Sequence, residues 1–123
     1  MKLTHACILV GELAPMVAFY ERVLQLEAKT AGNTYAEFRT PGATLSLFAA
    51  SAHEELAPGS AEPAKNRSME LEFLVDDVDA EYERLSRIPE LVWVKPPTTQ
   101  PWGNRSFYFR DPEGNLLNFY SLV

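Results

Sequence analysis

The order of residues in the second half of this chain repeats the order in the first, and no other feature constrains its fold as much. Val10 and Leu13 recur as Val75 and Val78, and Tyr20-Glu21-Arg22 recurs as Tyr82-Glu83-Arg84. Phe38-Arg39-Thr40-Pro41 returns as Phe109-Arg110-Asp111-Pro112, with Gly42 answering to Gly114. Turn chemistry alone produces one such echo; three in the same order mark a duplication of about half the chain. With 123 residues the chain has room for one ordinary domain, so the repeated piece is a module within it and a second catalytic domain is excluded.

Hydrophobic patterning gives both halves the same elements. Residues 4–10 are apolar and β-branched as far as Gly11, which predicts a strand. Leu13, Met16, Val17, Tyr20 and Leu24 then recur at spacings of three and four, with Pro15 in the first turn where its missing N–H is harmless, a helix. Strands follow over 26–29, 35–39 and 44–49, parted by the turn pairs Gly32-Asn33 and Pro41-Gly42. Composition then shifts to Ala, Ser, Glu and Pro, so residues 51–68 read as a connector without an element of its own. Beyond it come a strand over 69–75, a helix that Asp76-Asp77 caps and Val78, Tyr82 and Leu85 anchor, and a strand over 91–95. A long Pro-rich loop over 96–104 precedes strands over 105–110 and 116–122, joined by the turn Asp111-Pro112-Glu113-Gly114-Asn115. The expected fold class is α+β: two tandem βαβββ modules, 1–50 and 69–123 of one domain 1–123, forming a curved mixed sheet around a cleft.

Composition excludes several functions. The net charge is −6, so no general field draws polyanions, and nucleic acid and anionic membranes are not expected partners. The single cysteine, Cys7, has no internal disulfide partner and sits between Ala6 and Ile8 like a small buried hydrophobe, which fits a reducing, cytoplasmic setting. The apolar run over 6–10 is shorter than a signal-peptide core and far shorter than a membrane span.

Period-two alternation sorts the strand residues into those facing the helix and those facing the cleft. Ala6, Ile8 and Val10 face the helix, which leaves His5, Cys7 and Leu9 toward the cleft, and Glu70, Glu72 and Leu74 take the matching face of the second half. The register from Gly42 to Gly114 makes Ser46 and Asn118 equivalent in the two last strands, so His5, Ser46, Glu70 and Asn118 are expected to converge. Glu72 is either a second cleft carboxylate or part of a solvated face. Trp102, beside Gly103 in a Pro-flanked loop, either packs under that loop or stacks on a ligand. Arg105 contacts a ligand or acidic neighbours, and His53, in the connector, reads as a surface histidine. No Ser-His-Asp set, phosphate-binding glycine loop or zinc-type cysteine cluster is present.

Lys2-Leu3-Thr4-His5, Phe19-Tyr20 with Val23-Leu24, and Phe109-Arg110-Asp111-Pro112-Glu113-Gly114-Asn115 give the chain its resemblance to the vicinal oxygen chelate superfamily. That superfamily contains glyoxalase I, bleomycin-resistance proteins and extradiol dioxygenases, and the resemblance covers essentially the whole chain. In its metal-dependent members a divalent ion is held by His or Glu side chains at the four positions above. Here only His5 and Glu70 qualify, because Ser46 offers a hydroxyl and Asn118 an amide oxygen, so no bound metal or other cofactor is expected. The resemblance implies a homodimer. Two functions stay open: a metal-free small-molecule binding protein of the bleomycin-resistance type, taking a neutral or cationic ligand, and a lyase, isomerase or dioxygenase with a non-standard metal site or Glu70 as acid or base. A fold kept for protein interaction is the third.

Overall fold

The apolar alternation after Thr4 forms strand β1 (His5–Val10), and the three-four stripe that follows forms helix α1 (Leu13–Leu24). The computed structural model describes residues 1–123, which divide into two compact units, Met1–Lys65 and Asn66–Val123. In the first unit, α1 is followed by β2 (Lys29–Ala31), β3 (Tyr35–Phe38), β4 (Thr44–Ala49) and the short helix α2 (Ala50–His53). The sheet order is β1-β4-β3-β2, with β1 parallel to β4 and the other pairs antiparallel. Only a crossover can join parallel neighbours, and α1 lies within it. Its buried residues Met16, Tyr20 and Val23 pack with Val10, Ala36, Phe38, Leu45 and Leu47 to make the first core, with Tyr20 and Phe38 in ring contact at 6.0 Å.

The second unit repeats this order. Strand β5 (Glu70–Leu74) leads to helix α3 (Val78–Ser86), then to β6 (Val92–Thr99), β7 (Asn104–Arg110) and β8 (Leu116–Leu122) in a sheet of order β5-β8-β7-β6. The cap read from Asp76-Asp77 is Asp77, whose carboxylate accepts the Ala80 N–H at 3.0 Å. This core is aromatic: Trp93, Phe107, Phe109 and Phe119 stack and tilt against one another, and Tyr82 of α3 closes on Trp93 at 4.9 Å.

Cross-strand register supplies a test of the duplication that uses no sequence identity. Across β1-β4-β3-β2 one row runs Cys7, Ser46, Glu37, Lys29. Across β5-β8-β7-β6 the corresponding row runs Glu72, Asn118, Tyr108, Lys95. Ser46 and Asn118 are therefore equivalent in register, as their spacing from Gly42 and Gly114 predicts.

Three expectations need correction. The stretch 26–29 is mostly linker: Gln25 takes a left-handed conformation (φ 55°) that ends α1, and the Ala28 N–H is used by the Glu21 carboxylate at 3.1 Å, so β2 begins only at Lys29. The connector holds an element after all, since its first residues extend β4 directly into α2. The Pro-rich segment 96–104 is mainly strand. Pro96 and Pro97 lie in β6, the edge of its sheet, between register shifts at Trp93/Lys95 and Lys95/Thr98, where a missing N–H interrupts no regular ladder.

Candidate functional site

Each sheet has one face covered by its long helix, α1 or α3, and the opposite, helix-free face carries the polar chemistry, with only the short α2 reaching over that of the first unit through His53. In the first unit Leu45, Leu47 and Ala49 turn toward the core, which sends Ser46 and Phe48 to the other side with His5, Cys7, Tyr35 and Glu37. Glu37 is the hub of this face. Its carboxylate accepts the Tyr35 hydroxyl at 2.8 Å and Arg39 Nε at 2.7 Å, and lies 3.5 Å from His5 Nε2. Hydrogen bonds from Arg39 and then Tyr35 hold the Glu37 carboxyl below the usual carboxylate range. Burial and the bond to Glu37 push the Tyr35 phenol up, against the opposing hydrogen bond of Ser46. His5 Nδ1 lies 2.8 Å from the Thr4 hydroxyl, so both ring nitrogens have neighbours within the unit.

In the second unit the helix-free face carries Glu70, Glu72, Ser106, Tyr108 and Asn118. Glu70 and Glu72 are two residues apart on the same face of β5, both exposed. Burial, followed by the contact with Glu72, raises the Glu70 pKa above the ordinary carboxylate value. Tyr108 is raised by burial and by the negative charge of Glu70 and Glu72, with a Ser106 hydrogen bond opposing. Asn118 is only 3% exposed, its Nδ2 donates to Glu72 Oε1 at 3.5 Å, and its Oδ1 has no partner.

Within each unit, the donor chemistry of the residues that the resemblance puts at ligand positions does not fit a catalytic divalent ion. Ser46 is a buried neutral hydroxyl, the Asn118 amide turns its N–H toward Glu72, and His5 Nε2 faces Glu37. Neither unit by itself gathers three His, Cys, Asp or Glu side chains in a metal-holding group.

The remaining predicted residues are distributed as follows. Cys7 is exposed rather than buried, because alternation puts it on the helix-free side of edge strand β1. Trp102 lies in the tight turn 100–103 between β6 and β7, where the Gly103 N–H reaches the Gln100 carbonyl, and is 73% exposed. Arg105 shares the helix-covered side of β7 with Phe107, and its guanidinium is paired with Asp79 of α3 at 3.0 Å. His53 ends α2 with its ring edge-on to Phe48 at 5.6 Å, on the helix-free side. Sequence reading passed over Tyr35, Glu37, Ser106 and Tyr108. The signal was the same alternation, Tyr35-Ala36-Glu37-Phe38 and Ser106-Phe107-Tyr108-Phe109, applied to the third strand of each half.

Comparison with known proteins agrees with the fold. The chain is 29% identical to the uncharacterized protein YraH of Bacillus subtilis (strain 168) over 128 residues, covering all of both. It is 30% identical over 125 residues to the uncharacterized protein YwbC of the same organism, covering 97% of this chain and 96% of that one. Among solved structures, a glyoxalase/bleomycin resistance protein/dioxygenase from Nocardioides superposes with a TM-score of 0.81 at 26% identity, covering 100% of this chain and 84% of that one. The family model of this superfamily matches residues 2–119, a span that runs from before β1 into β8 and includes the Asp111–Asn115 turn. The chain therefore belongs to the glyoxalase/bleomycin resistance protein/dioxygenase superfamily.

Proposed function

We propose that this protein is a metal-free binder of a small organic molecule, held against the helix-free sheet face of the second unit, and that it sequesters this molecule as a homodimer rather than turning it over. The observation that carries the reading is Asn118: a neutral amide at a family metal-ligand position, buried, with an oxygen that no protein group satisfies. A buried acceptor without a donor costs about 1–3 kcal/mol, and a ligand N–H or O–H removes that cost. Exposed Trp102, at a hairpin turn, is available for stacking.

Native mass spectrometry with elemental analysis tests this reading. Protein purified without chelator is expected to release an organic molecule on denaturation and to hold Zn, Ni, Mn and Fe well below one equivalent. One equivalent of any of them, lost on His5→Ala, would overturn it. A second reading, a lyase or isomerase, draws on Glu70, an exposed carboxyl on the helix-free face whose pKa is raised above the ordinary carboxylate value, as a general acid or base. Turnover of a candidate substrate that disappears in Glu70→Gln, with the melting temperature unchanged, would replace the first reading with the second.

A further inference from the structure

We propose that the helix-free face of the second unit is a site for a protonated primary or secondary amine, held by the carboxylates of Glu70 and Glu72 and by Asn118 Oδ1. The proposal rests on the small-molecule reading above and names the chemical group that the ligand presents. Two independent observations meet here. The first is a carboxylate pair on one edge strand that none of the ion pairs of the molecule neutralises: those pairs use Glu37, Glu81, Glu83 and Asp79. Alternation sets both on one face of that strand, so a ligand cation there meets two negative groups.

The second observation is the orphaned oxygen of Asn118, adjacent to Glu72 in the β5–β8 register. Turning the amide over does not resolve it, because the oxygen would then face the Glu72 carboxylate, acceptor against acceptor, and the N–H groups would be stranded. The demand at this spot is for a donor from outside the chain. Carboxylates and an amide oxygen accept and do not donate, and an ammonium group offers up to three N–H donors with one positive charge, matching both count and sign. Both Glu side chains are exposed, so rotation about their own single bonds opens the way to it.

Competing cations fit less well. A quaternary ammonium has no N–H and would leave Oδ1 unpaired. Calcium takes six to eight oxygens and magnesium an octahedral set, whereas this face supplies two carboxylates and one amide. Lys95 stands at the far end of the same row, beyond Tyr108, three strand spacings or roughly 14 Å from Glu72, too far to neutralise the pair.

Titration of benzylammonium, benzyl alcohol, benzyltrimethylammonium and calcium into the full chain, followed by the Asn118 side-chain amide signals in NMR, tests the proposal. Benzylammonium is expected to move those signals and to bind at least about tenfold more tightly than the alcohol or the quaternary ion, as a charged hydrogen bond allows. Glu70→Gln and Glu72→Gln should each weaken the amine about tenfold and leave the alcohol unchanged, with melting temperatures reporting that both variants are folded. Equal binding of amine and alcohol, or amine binding unaffected by both variants, overturns the amine site. Tighter binding of calcium at the same signals overturns it in favour of a metal. No binding of the amine at millimolar concentration overturns it too, while the broader binding reading falls separately, on the absence of any co-purified organic molecule.

Discussion

Glu37 and Glu70 are both carboxylates on helix-free faces, yet their surroundings displace them in opposite directions. Glu37 has donors around it, in Arg39, Tyr35 and His5, and its folded pKa is lowered; Glu70 is partly desolvated and has Glu72 beside it, and its folded pKa is raised. Lysine is present on each face too, Lys29 in the row of Glu37 and Lys95 in the row of Tyr108. For Glu37 the unfolded chain binds the proton more tightly, so its contribution to stability is present above the ordinary carboxylate range and disappears as pH falls through the lowered folded value. For Glu70 the folded chain binds the proton more tightly, so stability is greatest below the ordinary range and falls as pH rises through the raised folded value. Glu37→Gln is therefore expected to lower the melting temperature at neutral pH and to converge on wild type in acid. Glu70→Gln is expected to match or exceed wild type at neutral pH and to lose that advantage on acidification. Melting curves recorded from about pH 3 to about pH 8 check both; shifts of the same sign at neutral pH would show that the two environments are misassigned.

The most recognisable segment of the sequence, the turn from Asp111 to Asn115, is an element of architecture. Asp111 is buried; its Oδ1 accepts the N–H groups of Glu113 and Asn115 at 2.9 Å each, and its Oδ2 accepts Asn115 Nδ2 at 2.7 Å. Gly114 takes φ 86°, and Arg110 donates to its carbonyl at 2.8 Å. The turn fixes the β7–β8 register and with it the position of Asn118 opposite Tyr108. Asp111→Ala strands several donors at once, and a loss of about 2–4 kcal/mol is expected from the size of charged hydrogen bonds. Chemical denaturation measures it, and a loss below about 0.5 kcal/mol would mean that the turn holds without its carboxylate. Elements with a local cause were legible in this way: the Asp77 cap, the α1 stripe and this turn are written in neighbouring residues. The second half of β6, from Pro96 on, was not, because proline argues against a strand until the strand is known to lie at a sheet edge, and edge position is a property of the whole sheet. The candidate site divided along the same line. Alternation assigned His5, Cys7, Glu70 and Glu72 to their faces, whereas the contact of Glu37 with His5 and the pairing of Arg105 with Asp79 depend on strand and helix neighbours distant in sequence.

At the scale of the whole molecule the duplication gives two sheets with matching register and different chemistry, and the charge pattern shows where its basic groups are spent. No helix is long and apolar enough to cross a membrane. The net charge is −6. Of the eleven Lys and Arg residues, Arg39, Arg84, Arg87 and Arg105 are in ion pairs with carboxylates, and Arg110 bonds the Gly114 carbonyl. Lys29 and Lys95 lie on separate sheets, in rows that also hold Glu37 and Glu72. A protein binds duplex DNA by releasing counterions from phosphates, and each phosphate contact needs a basic group free to make it. Because four of the eleven basic groups are already paired with carboxylates and acidic residues outnumber basic ones by six, no retardation of a short DNA duplex or of a single-stranded RNA is expected, even at low ionic strength. Electrophoretic mobility shift at low salt decides this. A retarded band that weakens steeply as salt is added would reveal a basic surface able to overcome the net charge, and would return the nucleic-acid class to consideration.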